Sequence, residues 1–336
     1  MVRLVRPAGA GRGAGLDAGE EVGGDVGGEA GEGGERWTCA LVNNMPDTAF
    51  AETEEQFLGL LGGASGDQTI AVRLHTLERV PRGEQAAARI AAGYLPLAQL
   101  RGDPPDALVV TGSNPLEPRI EDEPYWADLV DLLSWGRDHV STMLLSCLSA
   151  HAALVAFDGL ERRRLEAKCT GVFGQVAETA HPLVAGLVPP IVLPHSRLNT
   201  VEPDDLRGAG YDVALHSDAV GWSVATKMVD RSRVVVMQGH PEYGRASLLR
   251  EYQRDARRYV RHERDEEPRL PIDCVGPEDQ AGLADLHQRV TGGERDPALV
   301  EAFGFDQAGA RAPWPWRSMA VGLYKNWLAG IPKRSD

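Results

Sequence analysis

Apolar runs and amphipathic runs alternate along most of this chain. WTCALVNN, from Trp37, is continuously apolar at its centre and predicts a buried strand that Met45-Pro46 ends. TEEQFLGLLGG (Thr53 to Gly63) places Phe57, Leu60 and Leu61 on one side, which predicts a helix closed by Gly62-Gly63. TIAVRLHTL (Thr69 to Leu77) alternates as a strand does, and the alanine-rich segment Glu84 to Gly93 predicts a helix. DALVVTGSNP (Asp106 to Pro115) predicts a buried strand running into a glycine loop, Tyr125 to Trp135 a helix, and STMLLSC the next strand. Strands separated by helices at this spacing predict a parallel sheet with right-handed crossovers. Shorter strands and turns follow over Gly171 to Val188, Ile191 to Val201, Tyr211 to Leu215 and Ser223 to Val229. The buried strand of RVVVMQGHPEYG and a helix over Ser247 to Tyr259 come next. A charged linker, HERDEEPRLP, leads to a polar helix over Pro277 to Val290 and a terminal helix in SMAVGLYKNWLAGI.

Residues 1–35 break the pattern. They are Gly, Ala and Glu with few large hydrophobes, too few to offset the entropy of ordering, and are expected to be a disordered tail. The GAGRGAG run within them has no strand before it and no helix after it, so it is not a dinucleotide fingerprint. Over 336 residues, 43% hydrophobic, the chain has enough apolar content for one large α/β core or two modest ones. Its net charge of −14 argues against a nucleic-acid or anionic-membrane surface. Cys39, Cys147, Cys169 and Cys274 are scattered without CxxC spacing, which suggests neither a zinc site nor a disulfide framework. With no membrane-length apolar run and no signal peptide, the expected location is the cytoplasm.

The candidate chemistry centres on MLLSCLSAHAAL. Cys147 falls where a short apolar strand turns into an alanine-rich helix. There a thiol points into the crevice at the carboxyl ends of the strands, and the helix N-terminus offers free N–H groups to an oxyanion. His240 lies just past the VVVMQG strand, with Glu242 two positions on. A nucleophile and a base at the ends of two strands of one parallel sheet can meet across its crevice, and a carboxylate beside the imidazole completes a Cys-His-Glu triad.

Six segments occur in an order and spacing similar to the bacterial homoserine O-acyltransferases of the MetA type, relatives of the class I glutamine amidotransferases. They are NNMPDTAFAETEEQFLGLL, ALVVTGSNPLEPRIEDEPYW, SCLSAHAAL, LPHSRLNTV, GHPEYGRASLLREYQRD and WRSMAVGLYKNWL, and they span Trp37 to Leu328. The resemblance implies a ping-pong acyl transfer from acetyl-CoA or succinyl-CoA, as co-substrate, to the hydroxyl of L-homoserine or a close relative such as L-serine. No bound cofactor or metal is implied. It makes Cys147 the nucleophile, His240 the general base and Glu242 its orienting carboxylate. Arg254 matches the arginine that takes the amino acid's carboxylate, a task suited to a planar guanidinium. The N–H of Leu148 is the expected oxyanion donor, and Lys168, Ser196 and Arg197 match positions near the active site. The implied architecture is a doubly wound, flavodoxin-like parallel sheet, class I glutamine amidotransferase-like, over residues 36–262. A C-terminal extension, residues 263–336, is expected to pack on it, in a homodimer.

The chain departs from the pattern in places. Asp47 and Thr48 follow Met45-Pro46 where lysines are usual, Leu148 replaces a tryptophan, His151 a glutamine, and Met319-Ala320-Val321 a His-Gly-Asn. The resemblance implies that acyl choice is made in the loop after Thr111-Gly112, where Leu116 sits at the deciding position with Glu117 beside it. A leucine filling that space, or a glutamate repelling a second carboxylate, favours acetyl over succinyl. Two other readings stay open: a glutaminase or amidotransferase subunit, and a catalytically silent homologue.

Overall fold

The structure, a computed structural model, describes residues 1–6, 35–178 and 180–332. In chain order the elements are β1 (Val2–Val5), β2 (Glu35–Val42), α1 (Asp47–Ser65), β3 (Thr69–His75), α2 (Glu84–Gly93), α3 (Leu97–Gly102), β4 (Ala107–Val110), α4 (Trp126–His139), β5 (Thr142–Ser146) and α5 (Leu148–Asp158). Then come β6 (Arg163–Gly174), β7 (Val176–Ala177), β8 (Val192–Thr200), α6 (Pro203–Gly208), β9 (Asp212–Ser217), β10 (Gly221–Val229) and β11 (Ser232–Met237). The chain closes with α7 (Ser247–Val260), α8 (Pro277–Thr291), α9 (Pro297–Ala302), α10 (Phe305–Arg311) and α11 (Arg317–Ala329).

Among the described residues, nine strands form one sheet in the order β1-β3-β2-β4-β5-β11-β10-β9-β7. From β1 to β11 every pairing is parallel, while β10, β9 and β7 add an antiparallel edge. The central strands are apolar at nearly every position because both faces are covered. Successive side chains of β5 go to opposite cores. Leu144 joins Phe57, Leu60, Leu248 and Leu323 on one face, whereas Met143 and Leu145 join Leu129, Leu132 and Leu154 on the other. This is a doubly wound α/β arrangement, with a core on each face of the sheet.

The structure corrects several sequence expectations. The tail is ordered at its start, since Val2–Val5 add as an edge strand beside Ile70–Arg73, where a short alternating run gains a full ladder of hydrogen bonds. Residues 7–34, the GAGRGAG run included, lie outside the described residues. The expected parallel sheet is present and carries an antiparallel edge besides, while helix α1 begins at Asp47, six residues before the expected Thr53. Segments β6 and β8 leave the main sheet and pair antiparallel as a separate two-stranded ribbon. Gly171 anchors that ribbon at a φ of +142°, where a Cβ would lie 2.7 Å from the backbone nitrogen of Ile272. Only glycine fits there.

The segment after residue 262 shares the main core. Trp316, Leu323, Tyr324, Trp327 and Leu328 are buried with the residues of α1 and α7, and the Trp327 indole donates to Thr142 Oγ1 at 2.9 Å. No helix of the described residues is long and apolar enough to cross a membrane.

Candidate active site

Strand β5 ends at Ser146 and α5 begins at Leu148, so Cys147 alone makes the turn. It does so at φ 52°, ψ −108°, a backbone conformation that L residues rarely adopt and that marks a strained functional position. The sheet register then sets its neighbour. Ser146 pairs with Met237, and the Cys147 N–H donates to the Met237 carbonyl at 2.7 Å, so the chain leaving β11 carries His240 past the elbow. The ribbon fixes that chain as well, since the His240 N–H donates to the Pro194 carbonyl of β8 at 2.8 Å.

His240 Nδ1 and Glu242 Oε1 are 2.8 Å apart, and the same oxygen accepts from Ser146 Oγ at 3.1 Å. A carboxylate accepts here, so Nδ1 carries the proton and Nε2 is left for the reaction. Nε2 has no hydrogen-bond partner among the described residues. Burial by itself lowers the affinity of this ring for a proton, but the Glu242 charge and the neighbouring Cys147 outweigh it, and the pKa is raised well above 6.5. The Tyr243 ring stacks on the imidazole with centroids 4.3 Å apart. The indoles of Trp314 and Trp316 both donate to the Tyr243 carbonyl, at 3.1 and 2.8 Å, which ties the C-terminal segment to the catalytic loop.

Leu148 opens α5, so its N–H lies in the first turn, where no intrahelical acceptor exists. Gly112, after β4, lies against this point: a Cβ there would stand 3.4 Å from Cys147 Cβ and 3.5 Å from the Leu148 nitrogen. The absent side chain leaves room for an oxyanion at that N–H.

A buried polar cluster lies beside Tyr243. Its hydroxyl donates to Glu251 Oε1 at 2.6 Å, and Ser196 Oγ donates to Glu251 Oε2. Lys168 Nζ bridges Glu251 and Asp255 at 3.1 and 3.0 Å. Burial opposes charge on Glu251, yet Lys168 and Arg254 outweigh it and hold the carboxyl below its ordinary range. Arg254 grips Asp255 Oδ1 through Nε and Nη2 at 3.0 and 2.9 Å and stays 38% exposed.

Cys147, Leu148, His240 and Glu242 therefore lie together at the elbow, and Tyr243 links them to the cluster of Ser196, Lys168 and Arg254 around Glu251 and Asp255. Arg197 is buried nearby but spends Nη1 on the Asn199 carbonyl and Nη2 on that of Val220, a bracing role. The N–H groups of Leu116 and Glu117 donate to Glu123 Oε1 at 2.6 and 2.8 Å, and the Leu116 side chain is 63% exposed. Asp47, where a lysine is usual, accepts from the Gly83 N–H at 2.8 Å near the start of α2. Sequence reasoning missed Gly112, Tyr243 and Glu251. The segments GHPEYG and REYQRD contain two of them, but only packing shows that they meet. Among the described residues no cluster of His, Cys, Asp or Glu could hold a metal ion.

A cysteine at a strand-to-helix elbow beside a His-Glu pair sits here on a sheet with the class I glutamine amidotransferase-like fold. Among solved structures the chain is similar in fold to a glutamine amido transferase from Methylobacillus flagellatus, with a TM-score of 0.50 and 15% identity over 90% of this chain and 97% of that one. Residues 33–332 match the homoserine O-succinyltransferase family, HTS. Proteins named homoserine O-succinyltransferase are 40% identical over 265 residues in Bradyrhizobium japonicum (78% of this chain, 81% of the relative) and 36% identical over 291 residues in Rhodopseudomonas palustris (87% of each). The chain belongs to this family and is an acyltransferase.

Proposed function

We propose that the protein transfers an acyl group from succinyl-CoA to the side-chain hydroxyl of L-homoserine, through a thioester on Cys147. The observation that carries this reading is the elbow cysteine set beside the His240–Glu242 pair in a chain of this family. In the first half-reaction Cys147 Sγ, its proton already held on His240 Nε2, attacks the acyl carbonyl, and the oxyanion is held by the Leu148 N–H. The bond from the carbonyl carbon to the CoA sulfur breaks, and CoA leaves as the thiol with the proton from His240. In the second, His240 takes the proton of the homoserine hydroxyl, the oxygen attacks the thioester, and Cys147 is released.

The acceptor is a zwitterion. Arg254 suits its carboxylate and Glu251 its ammonium group, and both lie beside the Tyr243 that stacks on His240. Succinyl as donor is supported by the names of the relatives, and the case for acetyl weakens with Leu116 turned to solvent. A homodimer in the cytoplasm is part of the same reading.

Intact-protein mass spectrometry tests it. Wild type and Cys147→Ala are incubated with succinyl-CoA and, separately, acetyl-CoA, then with L-homoserine or L-serine. A Cys147-dependent succinyl adduct discharged by L-homoserine is expected. No adduct from either donor, with ammonia released from glutamine instead, would overturn the reading in favour of a glutaminase.

A further inference from the structure

Arg162 is a partly buried guanidinium that the triad chemistry leaves unused. Its Nε donates to His151 Nδ1 at 3.3 Å. His151 lies one turn into the nucleophile helix, where its own N–H donates to the Cys147 carbonyl at 3.1 Å, so this contact sets the guanidinium over the first turn of α5. An arginine N–H can only donate, so His151 accepts at Nδ1 and carries its proton on Nε2, which donates to Gln238 Oε1 at 3.0 Å. Gln238 is fixed in turn by the Trp222 carbonyl at 2.9 Å. The side chain of Arg162 is thus braced by a chain of buried groups that reaches β10. Burial, followed by the Arg162 charge, holds the His151 pKa down to about 3, which keeps the ring neutral and able to accept.

Among the described residues no carboxylate lies within 4.0 Å of this cation, and its Nη groups have no acceptor. Partly buried arginines without an acid partner are uncommon, because the lost hydration is uncompensated. The acids nearby are already engaged. Glu121 pairs with Arg119 at 3.1 Å, and Glu123 Oε1 takes the N–H groups of Leu116 and Glu117. Arg197, the other guanidinium near Cys147, spends both Nη groups on carbonyls and keeps only a buried Nε without a partner. At longer range Cys147, Tyr125, Glu121 and Glu123 all favour the charge on Arg162 against its burial, but none of the four bonds to it. It borders a cleft of about 480 Å³ between residues 118–121 and residues 159–162, next to the loop that follows Gly112.

We propose that Arg162 reads the far end of the acyl chain, its Nη edge binding the free carboxylate of a dicarboxylic acyl group whose other end is the thioester on Cys147. This role presupposes the Cys147 thioester proposed above. A fork of two N–H donors matches a carboxylate bidentately, and a simple acetyl group leaves it unpaired. Arg162 is therefore a specificity residue, acting in the donor half-reaction only.

The test compares wild type, Arg162→Met and Arg162→Lys for kcat/KM with succinyl-CoA and with acetyl-CoA, at saturating L-homoserine. Arg162→Met is expected to lose about 100-fold or more with succinyl-CoA and to stay within about 3-fold with acetyl-CoA, and Arg162→Lys to fall between. KM for L-homoserine should not move. An equal loss with both donors, or an unchanged succinyl-to-acetyl ratio in both variants, overturns the assignment; so does a wild type that accepts acetyl-CoA alone. Failure of the thioester reading itself is distinct, because wild type then forms no Cys147 adduct from any donor. If Arg162→Met shows no cooperative melting, the ratio in Arg162→Lys decides.

Discussion

Ser146 Oγ and His240 Nδ1 bond to one and the same oxygen of Glu242, at 3.1 and 2.8 Å. The residue that precedes the nucleophile thus helps hold the carboxylate that orients the base, and elbow and base are locked together by a single atom. A hydrogen bond to a charged acceptor contributes about 1.5–3 kcal/mol. Ser146→Ala is expected to lower kcat by about 10-fold or more with both KM values little changed, since substrate contacts stay in place. Stopped-flow acylation and steady-state kinetics check it, and an unaltered kcat would show that His240 alone positions Glu242.

Gly112→Ala probes the oxyanion space. The new methyl would stand at ordinary contact distance from Cys147 Cβ and the Leu148 nitrogen, so the chain should fold with a near-native melting temperature. It would crowd the place where the tetrahedral oxygen forms, and losing one such donor costs about 100-fold or more in kcat. Thermal melting and kcat measured together separate this from a folding defect.

Stability and pH give a third prediction. His240 binds its proton more tightly in the folded chain than in the unfolded one, with Glu242 as the main cause against the opposing effect of burial. The native state therefore holds an extra proton from about pH 6.5 upward, and stability falls as pH rises through the folded pKa. In Glu242→Gln burial becomes the ruling influence, the folded pKa drops below 6.5, and stability falls as pH drops below that value instead. Urea midpoints across this range, with Cys147 kept in both chains because it also raises the His240 pKa, should show the reversal of slope. The same slope in both chains would show that Glu242 does not set the charge of His240.

Trp316→Phe tests the link between the C-terminal segment and the catalytic loop. It keeps the aromatic bulk but removes one of the two indole donors to the Tyr243 carbonyl. A loss of about 1–2 kcal/mol in stability is expected with a lower kcat, because Tyr243 supports the His240 ring from one face. Full kcat with reduced stability would make the segment a packing element only.

The apolar runs ALVV, MLL and VVVM and the alanine-rich run after Cys147 can satisfy themselves in one way, as buried strands and a covering helix. These, with Glu84–Gly93, were legible because period and composition are local properties of the sequence. The elbow at Cys147 and the strand-end position of His240 followed from the same pattern, and the six ordered segments marked the family.

The tertiary structure decided what depends on which strands become neighbours. The register of β5 against β11 brings Cys147 to His240, and a one-residue slip would turn every side chain of β11 to the other core. The antiparallel edge, the place of Val2–Val5, and the ribbon that carries Lys168 to Glu251 and Asp255 were not legible, since pairing partners are chosen by packing between distant segments. Arg162 and Leu116 show the same limit. One is a charge in a run of three arginines that packing sets over the nucleophile helix, and the other an apolar residue at the expected deciding position that packing leaves in water.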